Sequence, residues 1–216
     1  MMRRHIALAI TGASGAAYGL ALCRELLASG FRLSLMISRA GFVLIREEAD
    51  LSWEGTREEV SVRIHAYFQV SADQLAYFEE NDFFAPIASG SAAPEAMIIC
   101  PCTMGTLGRI AGGLSSTLLE RAADVVLKEG RSLVLVPRET PLSAIHLENM
   151  LKLARLGVRI VPAMPGFYHR PQSIDDLVNF LVGKIMDTLG IPHKLFTSWG
   201  EQTANGGKGP ITGRSI

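Results

Sequence analysis

Short apolar runs rich in β-branched residues recur along the chain at His5–Ile10, Phe31–Ile37, Ala96–Cys100, Ser132–Val136 and Val158–Val161. Near-continuous apolar character, rather than strict alternation, is what strands buried on both faces require. Between these runs, apolar residues fall at helical spacing over Ala16–Ala28, Arg39–Glu48, Thr106–Lys128, Ser143–Leu156 and Ile174–Leu189. Residues 62–70 are expected to add a further strand. Strand–helix alternation predicts an α/β chain: a single-domain, Rossmann-like or flavodoxin-like, doubly wound and mostly parallel sheet with helices on both faces. The expected domain covers residues 1–199. Residues 200–216 are polar and glycine-rich and read as a mobile tail unless a neighbouring subunit orders them.

Composition narrows the function classes. Hydrophobic residues make up 48% and charged residues 19% of the 216, as in a globular chain with a substantial core. The 21 basic and 21 acidic residues cancel, and no lysine-rich run provides a field for nucleic acid or an anionic membrane. The apolar stretch after Met1-Met2-Arg3-Arg4 is too short for a signal peptide, and no run has the length to span a bilayer. A cytoplasmic location is expected. Cys23, Cys100 and Cys102 form no disulfide framework, and the five histidines are scattered, so no metal site is expected.

Candidate chemistry gathers where the expected strands end, the edge at which open α/β sheets bind ligands. Thr11-Gly12-Ala13-Ser14-Gly15-Ala16 follows the first strand, with small residues that let a phosphate approach a helix N-terminus. The second strand ends Met36-Ile37-Ser38-Arg39 without the carboxylate a dinucleotide ribose wants, which favours a mononucleotide such as FMN. Ser89-Gly90-Ser91 and Pro101-Cys102-Thr103-Met104-Gly105-Thr106 offer hydroxyls and amides, with an N-cap at Thr103 or Thr106. Arg138 and Glu139 stand between Pro137 and Pro141 at the end of another strand; the prolines stop the ladder there. Pro165-Gly166-Phe167-Tyr168-His169-Arg170-Pro171 forms a late aromatic and basic loop, while Arg121, Lys128 and Lys184 lie on expected helices. Without an aspartate-rich cluster to hold magnesium, phosphate chemistry here must rest on Arg, Lys and Tyr donors.

In this order, the motifs resemble the UbiX-type flavin prenyltransferases, also called the phenylacrylic-acid decarboxylase type. The resemblance spans nearly the whole chain. It rests on the loop at 11–16, Ser89-Gly90-Ser91, the Cys100-to-Gly105 loop and Glu120-Arg121-Ala122-Ala123-Asp124-Val125. It continues through Pro137-Arg138-Glu139-Thr140-Pro141, His146-Leu147-Glu148-Asn149-Met150 and Phe167-Tyr168-His169-Arg170-Pro171. It implies that reduced FMN receives a dimethylallyl group from dimethylallyl monophosphate at N5, followed by ring closure onto C6, without a metal. The product, prenylated FMN, would serve a UbiD-type decarboxylase, for ubiquinone biosynthesis or aromatic-acid decarboxylation. A homo-dodecamer built from trimers is also implied.

Carried over by position, the resemblance assigns FMN binding to Gly12, Ala13, Ser14, Ser38, Thr103, Met104, Gly105, Thr106 and Arg138. Tyr168, Lys184, Lys128, Arg121, Glu139 and Ser91 are implied contacts of the dimethylallyl phosphate, some contributed by an adjacent subunit. Glu139, Ser14, Glu48, Lys128 and Trp199 match catalytic positions. Glu139 is expected to move a proton, and Trp199 to shield an allylic cation with its ring. Lys184 departs from the family, many members of which carry arginine there; charge is kept but a bidentate phosphate contact is lost. Two other readings remain open at this point: an FMN-dependent cysteine decarboxylase-like flavoprotein, and a non-catalytic FMN carrier.

Overall fold

The computed structural model describes residues 4–196. The described residues divide into two compact units, one ending at Met164 and the other beginning at Pro165. The first holds a six-stranded, all-parallel sheet in the order β3-β2-β1-β4-β5-β6. Its strands are β1 (His5–Ile10), β2 (Arg32–Ile37), β3 (Leu75–Phe78), β4 (Ala96–Cys102), β5 (Ser132–Pro137) and β6 (Arg159–Ile160). Its helices are α1 (Ala16–Ala28), α2 (Arg39–Ala49), α3 (Arg57–Phe68), α4 (Met104–Ala111), α5 (Leu118–Lys128) and α6 (Ala144–Arg155). Strand order reverses between β1 and β4, so the loops after these two strands diverge and leave a crevice at the carboxyl edge.

Alternation along the strands sorts the core. Ala7 and Ala9 of β1, Met97 and Ile99 of β4, and Leu133 and Leu135 of β5 share one face with Leu107, Ile110, Leu119, Ala122 and Val126 of α4 and α5. On the other face α1 comes so close that a Cβ on Gly19 would lie 2.4 Å from the Cys100 carbonyl oxygen. The Cys100–Pro101 and Thr140–Pro141 peptide bonds are cis.

Three expectations need correction. Residues 62–70 are no strand: Thr56 and Glu59 form a reciprocal capping box that starts α3, and Val60 and Ile64, one turn apart, are buried. The edge strand lies later, at β3. The single helix expected over Thr106–Lys128 is two helices. Gly112 and Gly113 end α4, with Gly113 at φ 73°, and Thr117 caps α5 by accepting from the Glu120 amide. The strand expected at Val158–Val161 is only the two residues of β6.

The second unit contains α7 (Ile174–Thr188), opened by a capping box between Ser173 and Asp176. Within this unit Gly183 permits close packing, since a Cβ there would meet the Phe196 ring at 2.4 Å. No helix among the described residues is long and apolar enough to cross a membrane.

Candidate functional site

The crevice between β1 and β4 is tied by one side chain. Thr11, 1% exposed, donates from Oγ1 to the Pro101 carbonyl and accepts from the Thr103 amide, both at 2.8 Å. Thr103 in turn caps α4: its Oγ1 accepts from the Thr106 amide at 3.1 Å and meets the Thr106 hydroxyl at 2.9 Å. Beside these residues opens a cleft of about 250 Å³ whose lining includes Gly12, Ser38, Thr103, Thr106, Arg109 and Glu120. Gly12 is required on packing grounds, because a Cβ would stand 2.4 Å from the Cβ of Ala40.

Two helix N-termini face this edge. Gly15 caps α1 at φ 106°, a left-handed conformation costly for other residues. The Gly15 and Ala16 amides both donate to Glu48 Oε2 at 2.8 Å. Burial, the largest single influence on the Glu48 carboxyl, pushes it up. The Ser14 hydroxyl, the two amides and the Arg138 charge outweigh it and hold the group below its ordinary value. Arg138 donates from Nε to the Ser14 carbonyl at 3.3 Å. Ser38 caps α2 by accepting from the Gly41 amide at 3.0 Å, and the Arg39 amide donates to Glu80 Oε2 at 3.3 Å.

The expected residues therefore separate by location. Gly12, Ser38, Thr103 and Thr106 line the cleft; Ser14, Glu48 and Arg138 meet at the start of α1. Ala13 is buried in the loop after β1, and Met104, also buried, and Gly105 lie on the first turn of α4. Glu139 accepts from the Thr140 amide at 3.0 Å.

Ser91, Arg121 and Lys128 form a different group, around residues 88–91 and the face of α5 that runs from Arg121 in its first turn to Lys128 at its end. Arg121 donates to the Ala88 carbonyl at 3.1 Å and pairs with Asp124, the Ser89 and Ser91 hydroxyls are 3.0 Å apart, and Lys128 pairs with Glu129 over Gly90. Lys128 is eight residues beyond the cleft-lining Glu120, roughly 12 Å along the helix axis. In the second unit, Tyr168 packs edge-on against Phe180 at 5.4 Å, and Lys184 lies over the Phe196 ring while donating to Asp187. Trp199 falls outside the described residues.

Arg109, Glu120 and Glu80 line the cleft without having been anticipated. Glu120 is 1% exposed, accepts from the Ser116 amide at 2.8 Å and pairs with Arg109 Nε. Among the described residues no three His, Cys, Asp or Glu side chains converge as metal ligands would.

Comparison with known proteins agrees with this architecture. The flavoprotein family model matches residues 1–186. The flavin prenyltransferase UbiX of Pseudomonas aeruginosa is 51% identical over 197 residues, 91% of this chain and 94% of its own. The structure of AnUbiX (PadA1) in complex with FMN and dimethylallyl pyrophosphate superposes with a TM-score of 0.81 at 38% identity, covering 92% of this chain and 98% of that one. The dodecameric FMN-dependent UbiX-like decarboxylase of Escherichia coli O157:H7 gives 0.80 at 40% identity, covering 90% and 98%. The crevice at the strand-order switch and these similarities lead to one assignment: the chain belongs to the flavoprotein family, among its UbiX flavin prenyltransferases.

Proposed function

We propose that this protein transfers a dimethylallyl group from dimethylallyl monophosphate to reduced FMN and closes the new ring. The observation that carries the reading is the hydroxyl- and amide-lined cleft at the β1–β4 switch, with Ser14, Glu48 and Arg138 gathered beside it. The cleft residues fit a flavin mononucleotide: they offer the Ser38 and Thr103 hydroxyls, helix N-terminal amides and a glycine wall, and no carboxylate follows β2 to select a dinucleotide. Gly12, Ala13, Ser14, Ser38, Thr103, Met104, Gly105, Thr106 and Arg138 would hold FMN. When bound, its reduced ring supplies N5 as nucleophile and C6 as the site of closure.

The remaining chemistry belongs to the chain. Breaking the allylic C–O bond releases inorganic phosphate, and its growing negative charge calls for cationic and hydroxyl donors in a site with little water. Tyr168, Lys184, Arg121, Lys128 and Ser91 are the donors assigned to it. Lys128 ends α5, away from the first-turn residues Leu119 and Glu120 that line the cleft, and Arg121 is turned to the Ala88 carbonyl near Ser91, so we assign the three to the cleft of a neighbouring copy. Exposed apolar side chains at Phe84, Ile145, Leu147, Leu151 and Leu156 supply surface for such an assembly. Glu139 protonates the leaving phosphate and then accepts the proton released when the ring closes onto C6. Glu48 holds the Gly15 and Ala16 amides in place beside Ser14. The proposed product is prenylated FMN for a UbiD-type decarboxylase in the cytoplasm.

A cysteine decarboxylase-like role or simple FMN carriage leaves the Glu139, Lys128 and Tyr168 set without employment. Anaerobic incubation with reduced FMN and dimethylallyl monophosphate, followed by mass spectrometry of the released flavin, decides the matter. A flavin heavier by one prenyl unit is expected; unchanged FMN would refute prenyl transfer. Glu139→Gln should slow formation of the ring-closed product, and a native rate in that variant would remove Glu139 from the proton path.

A further inference from the structure

Arg109 and Glu120 form an ion pair that the chemistry above does not use. Glu120 is almost fully buried, yet Arg109 keeps 45% of its side chain exposed and lines the cleft. A buried carboxylate needs compensating donors, and an arginine retained only for that purpose could have been buried with it. Instead the guanidinium divides its edges. Nε engages Glu120, Nη2 approaches the Thr106 hydroxyl at 3.4 Å, and Nη1 lies 3.5 Å from where a Cβ on Gly105 would stand. The cleft also takes in Gly12, Ser38, Arg39 and Ala40. There the Arg39 amide already receives an anionic oxygen, that of Glu80, at 3.3 Å.

We propose that Arg109, aimed by Glu120, is a flavin-binding residue that grips the 5′-phosphate of FMN between itself and the Ser38–Arg39 start of α2; this rests on the FMN reading above. Because the ion pair cancels its net charge, Arg109 acts through short-range, charge-assisted hydrogen bonds rather than through a long-range field. Only the planar fork of arginine can hold a carboxylate on one edge and a phosphate on another; a lysine ammonium has no second edge. Glu120 is thus a positioning residue, without ligand contact of its own.

The test compares FMN with riboflavin, which lacks the phosphate, by fluorescence titration of the full chain and its Arg109→Ala and Arg109→Lys variants. Arg109→Ala should weaken FMN roughly tenfold to a hundredfold, the range of a lost charged hydrogen bond, while riboflavin affinity holds within about threefold. Arg109→Lys, which keeps the pairing charge for Glu120, should fold with an unchanged melting temperature and still lose FMN-over-riboflavin preference. Equal losses for FMN and riboflavin, or no loss in either variant, would overturn the assignment. If the unsubstituted chain bound no FMN, the functional reading itself would fall, and this inference with it.

Discussion

Replacing Thr11 by valine removes one oxygen and keeps the shape, so it isolates what the crevice tie contributes. In the native chain the Thr11 hydroxyl both donates to the Pro101 carbonyl and accepts from the Thr103 amide at 2.8 Å. The carbonyl keeps a partner in Thr11→Val, because the Thr11 backbone amide also reaches it, at 3.1 Å. The Thr103 amide does not; it is half-buried and loses its acceptor, which costs about 1–2 kcal/mol. The lost hydroxyl–carbonyl bond adds about 1 kcal/mol, and the extra buried methyl of valine returns somewhat less than that. The net loss is about 1.5–2.5 kcal/mol, or a melting-point drop of roughly 3–10 °C for a chain of this size. Thr11→Ser keeps the oxygen and loses only a methyl, so it should fall by about 1 kcal/mol. Urea unfolding of the three proteins measures both changes directly. FMN affinity should drop in the valine variant alone, because the freed amide begins the α4 cap that lines the cleft. If valine were as stable as serine at this position, the tie between the two loops would be decorative and the reasoning wrong.

Two pH effects follow, one at the amino end of β1 and one beside the cleft. His5, bonded to the Ser34 hydroxyl at 2.9 Å, is pushed down to about 4, by burial first and then by the Arg32 charge. Its unfolded value is 6.5, so the native chain resists a proton that the unfolded chain accepts; stability is full above 6.5 and is lost as pH falls toward 4. Discounted for partial solvent exposure, the loss is about 1–2 kcal/mol, and His5→Gln should flatten that slope in denaturation midpoints taken across the window. Glu48 behaves at lower pH: its carboxyl sits below its ordinary 4.5, so its contribution is present above 4.5 and disappears as pH falls through the lowered value. Glu48→Gln should remove that acid-side loss, and a variant as acid-sensitive as the parent would argue against the contact with α1.

Much of the sheet was readable because its strands are uninterrupted apolar runs bounded by glycine or proline. β1 and α1 have the limits that the residues suggest, with Gly15 marking the junction. β3 escaped notice because four residues provide too short a pattern. Gly112-Gly113 was harder: apolar periodicity resumes on the far side, and the eye joins α4 to α5. On one straight helix Arg109 and Glu120, eleven residues apart, would be held roughly 16 Å from each other. The break folds them into contact. At the site, the glycine loop and the Arg138 strand end were legible as motifs. The hydrogen bonds that Glu48 accepts from the start of α1 were not, because thirty-odd residues separate the partners and only the β1–β2 register brings them together.

The division of labour along α5 has a genetic reading. In the proposed assembly Glu120, in the first turn of that helix, serves its own cleft, while Arg121 beside it and Lys128 at the far end serve a neighbour's. A chain ruined at Glu139 would still lend its cations, and a chain ruined at Lys128 would still offer a sound cleft. Two defective alleles expressed together should therefore rescue one another, with about a quarter of the sites in a randomly mixed assembly drawing both halves from intact sources. A single allele of either kind has no such recourse.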